Sequence, residues 1–150
     1  VTNRTARRIP TPGLVAATER AVKILSALGV WKRSPYSVLI IFVTDRESRM
    51  LNRQFLHKDR AANILSFDYG SFGELIISPA VILGEARRDR RSFSEAARRI
   101  IVHGLLHLAG IHHERSLRAQ AQSEKLEEAV LRTLGRVGTR APLKPHSIRP

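Results

Sequence analysis

The stretch VHGLLHLAGIHHE, residues 102–114, carries four of the chain's six histidines inside an otherwise apolar run. His103 and His107 are four residues apart, so on a helix their rings share one face, about one turn from each other. Gly110 is placed to stop that helix, and the chain can then turn back and present His113 to the same point. Three imidazoles in the pattern H-x3-H-x5-H suit a tetrahedral metal with one position left open. A catalytic metal uses that open position, because water bound there loses a proton near neutral pH. Burying three imidazoles with no shared partner would be costly, which favours a common ion over three independent core residues. Zinc is the expected ion, one per chain, although histidine sites also accept nickel or another divalent metal. His112 adjoins His113 and should point elsewhere, toward substrate or toward the ligands' outer partners. Glu114 can serve as a cap, as a carboxylate that orients a ligand, or as a proton carrier.

The same stretch argues against one chemistry. Zinc proteases with the pattern H-E-x-x-H-x-x-G-x-x-H use the glutamate as general base. This chain keeps the ligand spacing and the glycine, but position 104 is Gly. Its single methionine, Met50, lies upstream, so no methionine turn follows the motif. Peptide hydrolysis by that route is not expected.

The elements that must position the histidines can be read from punctuation and period. Thr11-Pro12 reads as an N-cap and a first-turn proline. Leu14, Ala17, Ala21, Leu25 and Leu28 follow at helical spacing, and Gly29 can end the helix. Ser37 to Asp45 is a β-branched run and reads as a buried strand. Arg46 to Leu56 reads as a short helix, with strands near Ile64 to Tyr69 and Gly73 to Ser78. Ser92 and Glu95 make a capping box for a helix from about Phe93 to Ala109. A last amphipathic helix is expected from about Arg115 to Leu134, ending at Gly135. Helices bracketing a small mixed sheet, about four strands with four to five helices, define a single α+β domain over residues 1–138. Residues 139–150 are basic and Pro-rich and read as a disordered tail.

Composition narrows the setting. There are no cysteines, which removes disulfides, thiolate nucleophiles and Cys-based metal sites together. The most strongly apolar run, Val38 to Val43, is far too short to span a membrane. Glu19, Arg20 and Lys23 interrupt any secretory apolar core after the basic N-terminal stretch. A soluble cytoplasmic protein with no membrane partner is the expectation. Net charge is +13, which favours a polyanionic partner, most plausibly nucleic acid. Arginine outnumbers lysine 21 to 5, so base composition of the genome is the competing explanation.

HGLLHLAGIHH closely resembles the signature H-G-x-L-H-L-x-G-Y-D-H of the YbeY family, metal-dependent endoribonucleases of bacterial ribosomal RNA maturation. A second block, LNRQFLHKDRAANILSF at residues 51–67, resembles the family's L-N-x-x-Y-R-G-K-D-x-P-T-D-V-L-S-F. GELIIS resembles its G-D-I-x-I-S strand. The resemblance spans roughly residues 10–135. It implies that His103, His107 and His113 are the zinc ligands, at the floor of a basic groove, in a fold with a four-stranded sheet. It implies a single-strand-directed endoribonuclease acting in rRNA 3′-end maturation and ribosome quality control. The implied partners are rRNA, the small ribosomal subunit and its associated factors.

This chain departs from the family pattern at three places near the site. Leu56 stands where the family has an arginine, His112 where it has Asp, and Glu74 where it has Asp. Arg53, Lys58 or Arg60 are candidates to supply the missing cation, or are solvated surface charges. His112 and Glu114 are candidates for proton transfer, ahead of Glu74. Asn63 and Ser66 either line the groove or serve strand-edge hydrogen bonding. Arg87, Arg88, Arg90, Arg91, Arg98 and Arg99 form either a phosphate-binding stripe or one solvated helix face. Two other readings stay open: a non-catalytic zinc-bearing ribosome or RNA-binding factor, and a metal-dependent hydrolase of another substrate class.

Overall fold

Ser37 to Phe42, apolar and β-branched, forms an inner strand of the sheet. The computed structural model of the chain describes residues 1–112 and 116–136. Its elements run β1 (Thr2–Asn3), α1 (Thr11–Ala27), β2 (Ser37–Phe42), α2 (Asp45–Leu56), β3 (Ile64–Asp68), β4 (Phe72–Ile77), α3 (Pro79–Arg88), α4 (Phe93–Leu108) and α5 (Leu117–Arg136). The four strands form one mixed sheet in the order β1-β2-β4-β3. β2 lies parallel to both β1 and β4, and β3 returns antiparallel on β4. The expected α+β class is what these elements build. The domain end at residue 138 and the tail 139–150 lie outside the described residues, as do His113 and Glu114.

Strand alternation decides which face of the sheet carries the site. Ser66 is registered opposite Leu75 and Ile64 opposite Ile77, so these four side chains share one face. α4 packs on that face, and Leu75 and Ile77 of the sheet and Leu105 and Leu106 of the helix are all buried in the same core. The closest approach is at Gly104. A Cβ added there would stand 2.6 Å from Ile64 Cδ1, 2.7 Å from Leu75 Cδ2 and 3.2 Å from Ser66 Oγ. The helix lies so near the sheet that even a methyl group would collide. A glutamate at 104 would have its carboxylate driven into the apolar floor. The glycine between the two histidines is therefore a packing requirement.

α4 starts where its sequence said it would. Ser92 Oγ accepts from the Glu95 N–H, and the Glu95 carboxylate accepts from the Ser92 N–H. It ends one turn after His103, with the Gly110 N–H donating to His107 and the Ile111 N–H to Leu106. Gly110 takes a φ of +85°, the left-handed region that glycine enters at little cost.

Several boundaries differ from expectation. Pro10, not Thr11, holds the cap position of α1, and the cap makes no side-chain hydrogen bond. The buried face of α1 is Leu14, Thr18, Ala21 and Leu25. Thr18 takes the place expected of Ala17 because its hydroxyl is satisfied by Leu14 C=O at 2.7 Å. Leu28 is exposed, beyond the last turn. Helix α3 was not anticipated: Ser78 Oγ accepts from the Val81 N–H and Pro79 opens the helix, so β4 stops at Ile77. Gly135 does not end α5, which continues to Arg136. A glycine stops a helix when it turns left-handed, and among the described glycines only Gly29, Gly70 and Gly110 do so.

The β3–β4 hairpin is tied by one carboxylate. Asp68 accepts from Arg33, from the Tyr36 hydroxyl at 3.0 Å and from the Gly70 N–H at 2.9 Å. The Arg33 hydrogen bond, then the Gly70 N–H, hold its acid well below the usual carboxylate range, at about 2. A depressed folded-state pKa adds stability above the unfolded value of 3.8, lost as pH falls toward 2. Chemical denaturation as a function of pH should therefore show wild-type stability dropping between those values. Asp68→Asn should start lower and drop less over the same interval. For the helix–sheet contact, Gly104→Val should cost about 1–3 kcal/mol in urea unfolding through overpacking. An unchanged midpoint would mean that α4 sits clear of the sheet.

Candidate active site

His103 and His107 project from the sheet-facing side of α4, half buried. Their Nε2 atoms lie 3.1 Å apart. His103 Nδ1 lies 3.3 Å from a carboxylate oxygen of Glu127, which reaches over from α5. An Nδ1–H directed at a carboxylate leaves the lone pair on Nε2, the nitrogen that faces His107. The His112 ring follows the Gly110 turn, exposed, with its centroid 5.6 Å from that of His107. Three imidazoles thus stand in a row at the end of α4. Among the described residues, no set of three or more His, Cys, Asp or Glu side chains is gathered as for a metal ion. The expected third ligand, His113, lies outside them.

The histidines form one wall of a cavity of about 340 Å³. Leu56, Asn63, Ile64, Leu65, Ser66 and Phe67 complete it. Strand β3 supplies most of this lining and the loop from α2 to β3 adds Asn63; two buried polar residues of α2 hold that loop down. Ser48 Oγ donates to Ala62 C=O at 2.8 Å and accepts from the Ala62 N–H at 3.0 Å. Asn52 Nδ2 donates to Arg60 C=O at 2.7 Å. Asn63 is fixed in turn: its amide donates to the Glu85 carboxylate, and its Oδ1 accepts from the Ile64 N–H. α2 itself begins with the capping box Thr44–Glu47.

Asn63 and Ser66 lie in the same cavity wall as His103 and His107, and Asn63 also makes strand-edge hydrogen bonds, accepting from the Ile64 and Ser78 N–H groups. Lys58 and Arg60 line an adjoining cavity of about 310 Å³ that shares Leu56, Asn63, Ile64 and Leu65 with the first. Arg53 is in neither; it lies on the outer side of α2. Leu56 is half exposed at the cavity wall, so the position that the family pattern gives to arginine presents an alkyl surface here. Glu74 is registered with Phe67 and Leu39, on the sheet face opposite Leu75 and α4, and its carboxylate lies 3.5 Å from the Tyr69 hydroxyl. Arg87, Arg88, Arg90, Arg91 and Arg98 are exposed. Arg91 pairs with Asp89 and Arg99 with Glu128, so this group of arginines, readable as a phosphate stripe or as a solvated helix face, is partly neutralised within the chain.

Sequence reading missed Glu127, Ser48 and Asn52. Glu127 sits 24 residues from the histidine it contacts, on a helix rich in polar residues where one more glutamate carries no mark. Ser48 and Asn52 share one side of α2, a spacing of four that a search for buried polar positions would have raised.

The chain matches a known family, and its fold matches a solved structure. The family model for endoribonuclease YbeY matches residues 1–135, so the chain belongs to the YbeY family. A relative from Geobacter metallireducens, named endoribonuclease YbeY, is 37% identical over 140 residues, covering 85% of this chain and 89% of the relative. One of the same name from Acidovorax sp. strain JS42 is 34% identical, covering 80% of this chain and 84% of its own length. One from Anaeromyxobacter dehalogenans is 38% identical over 126 residues, 79% of this chain, and the match spans 63% of that longer relative. The solution structure of TM1509 from Thermotoga maritima shares the fold, with a TM-score of 0.60 at 21% identity and 97% of each chain covered.

The donor set can be tested against the metal that the family resemblance implies. Nitrogens about 2.1 Å from one tetrahedral ion lie roughly 3.4 Å apart. The 3.1 Å between the two Nε2 atoms is close to that, and without a metal the same distance suits an N–H···N hydrogen bond between the two rings. The residues fit. Glu127→Gln should keep the fold, since the side-chain shape is retained. It should weaken zinc binding about 10–100-fold, the usual effect of losing a ligand's outer partner. Competition against a chromogenic chelator measures it, and an unchanged affinity would mean that Glu127 does not orient His103.

Proposed function

We propose that this chain is a metal-dependent endoribonuclease that hydrolyses RNA phosphodiester bonds in ribosomal RNA maturation. The observation that carries it is the His103–His107 nitrogen pair, 3.1 Å apart, in the wall of a groove that continues into a cation-lined lobe. Membership of the YbeY family and the net charge of +13 support the same reading. In it, His103 and His107 hold one divalent ion, zinc by preference, with His113 as the third ligand. When bound, the metal supplies Lewis acidity, polarising a phosphoryl oxygen and making water acidic enough to attack near neutral pH.

The chain's own groups do the rest. Ser66 donates its hydroxyl toward the phosphate in the groove. Lys58 and Arg60 offset the charge of the neighbouring phosphate, in place of a guanidinium at position 56. Water adds to phosphorus and the bond to the leaving sugar oxygen breaks. Glu114 takes the proton from water and His112 delivers one to the leaving oxygen. No helix among the described residues is long and apolar enough to cross a membrane. We place the reaction in the cytoplasm, at the small ribosomal subunit with its associated factors.

Leu56 in the cavity wall favours one other reading, a zinc-bearing RNA-binding factor that does not cut. A multiple-turnover assay on single-stranded RNA decides between them. Wild-type protein should cleave internally, and His107→Ala and chelator-treated protein should lose at least about 100-fold in rate, consistent with metal-dependent chemistry. RNA bound but uncut by metal-loaded wild type would establish the binding factor instead. Wild-type turnover of simple esters with RNA left intact would establish a hydrolase of another class.

A further inference from the structure

The outer side of α2 carries a second surface that the histidine site does not use. Arg46, Arg49 and Arg53 line one open groove of about 480 Å³, together with Met50, Gln54 and Asp59. Their spacing of three and then four puts the three guanidinium groups on one side of the helix. The next residue in that series is Leu56, which lies in the wall of the histidine cavity. The arginine row therefore points along α2 into the candidate active site. From Arg46 to Leu56 the helix rises about 15 Å, a length that takes more than one backbone phosphate.

The chemistry of the groove suits such an occupant. Guanidinium groups bind phosphate oxygens in pairs. Among the described residues, Arg46 and Arg53 make no salt bridge to a carboxylate. Arg49 is gripped through two nitrogens by Asp59, at 2.9 and 2.8 Å, with both side chains more than half exposed. An exposed pair of this kind is weak and can be exchanged for a phosphate. Met50 is exposed beside the row and lines the same groove. Apolar surfaces between cations give unpaired bases something to stack on. The whole chain carries +13, so a negatively charged partner is the complementary one.

We propose that this face of α2 binds the phosphodiester backbone of single-stranded RNA outside the cleaved step and guides the strand into the histidine cavity. The proposal rests on the endoribonuclease reading and adds to it the path of the substrate. It predicts that Asp59 competes with RNA for Arg49.

The test is fluorescence anisotropy of a labelled single-stranded RNA of roughly 20 nucleotides against the full chain, with salt varied, since each phosphate contact on a single strand adds about 0.7 to the slope of log affinity against log salt. The variant Arg46→Gln/Arg49→Gln/Arg53→Gln should lower that slope by about 2 and weaken binding about tenfold or more at low salt. Asp59→Asn should tighten binding severalfold, a change of opposite sign that damage to the fold would not produce. Thermal melting checks that both variants fold. An unchanged slope and affinity in the folded triple variant would overturn the proposal and leave the groove to an acidic protein partner. Tighter binding in the triple variant, or weaker binding in Asp59→Asn, would also overturn it. Binding is read without cleavage, so the expected shifts in a protein that cuts no RNA would uphold this surface while counting against the endoribonuclease reading.

Discussion

How closely α4 can lie on the sheet sets everything else in this molecule. At Gly104 the helix backbone comes so near Ile64 and Leu75 that a Cβ would stand under 3 Å from both. A residue with a side chain there would force the ends of the Ile64 and Leu75 side chains to move. The glycine does no chemistry, yet it fixes the depth at which the imidazoles sit above β3. It also explains why a spacing so like that of zinc proteases lacks their glutamate: the position that would carry the base points into a packed floor.

A second constraint holds the opposite wall. The α2–β3 loop is polar and would drift if left to itself. Ser48, Asn52 and Asn63 pin it through hydrogen bonds to backbone or to Glu85, all on the inner side. Such bonds are worth most where water is excluded, and Ser48 and Asn52 are both about 2% exposed. The groove is thus built between a helix held by apolar contact and a loop held by polar contact. Lys58 and Arg60 ride on that loop, so its anchoring also places the cations.

The histidine spacing, the Ser92–Glu95 capping box and the Gly110 stop were legible because each is local. A helix period, a cap and a left-handed glycine are written within a few residues of one another. The β2 run was legible because β-branched residues in sequence have few other uses. What escaped was set by distance or by packing. Glu127 reaches His103 from another helix, and nothing near Glu127 announces it. Pro79 was hidden at the end of an apolar strand, although Ser78 before it is a good cap. Gly135 looked like a stop, but the glycine keeps helical backbone and α5 continues to Arg136. Arg53 could be read either as a groove cation or as a solvated surface charge, and which side of α2 it takes is set by packing rather than by its neighbours in sequence.

Metal-dependent chemistry at this site requires that the α4 imidazoles share a metal through the nitrogens that face each other. X-ray absorption at the zinc edge, on zinc-loaded protein, reads that coordination directly. The account predicts an imidazole-rich shell with nitrogen at about 2.0–2.1 Å, and loss of one imidazole signal in each of His103→Ala and His107→Ala. A shell of oxygen ligands alone, or one indifferent to both substitutions, would contradict it.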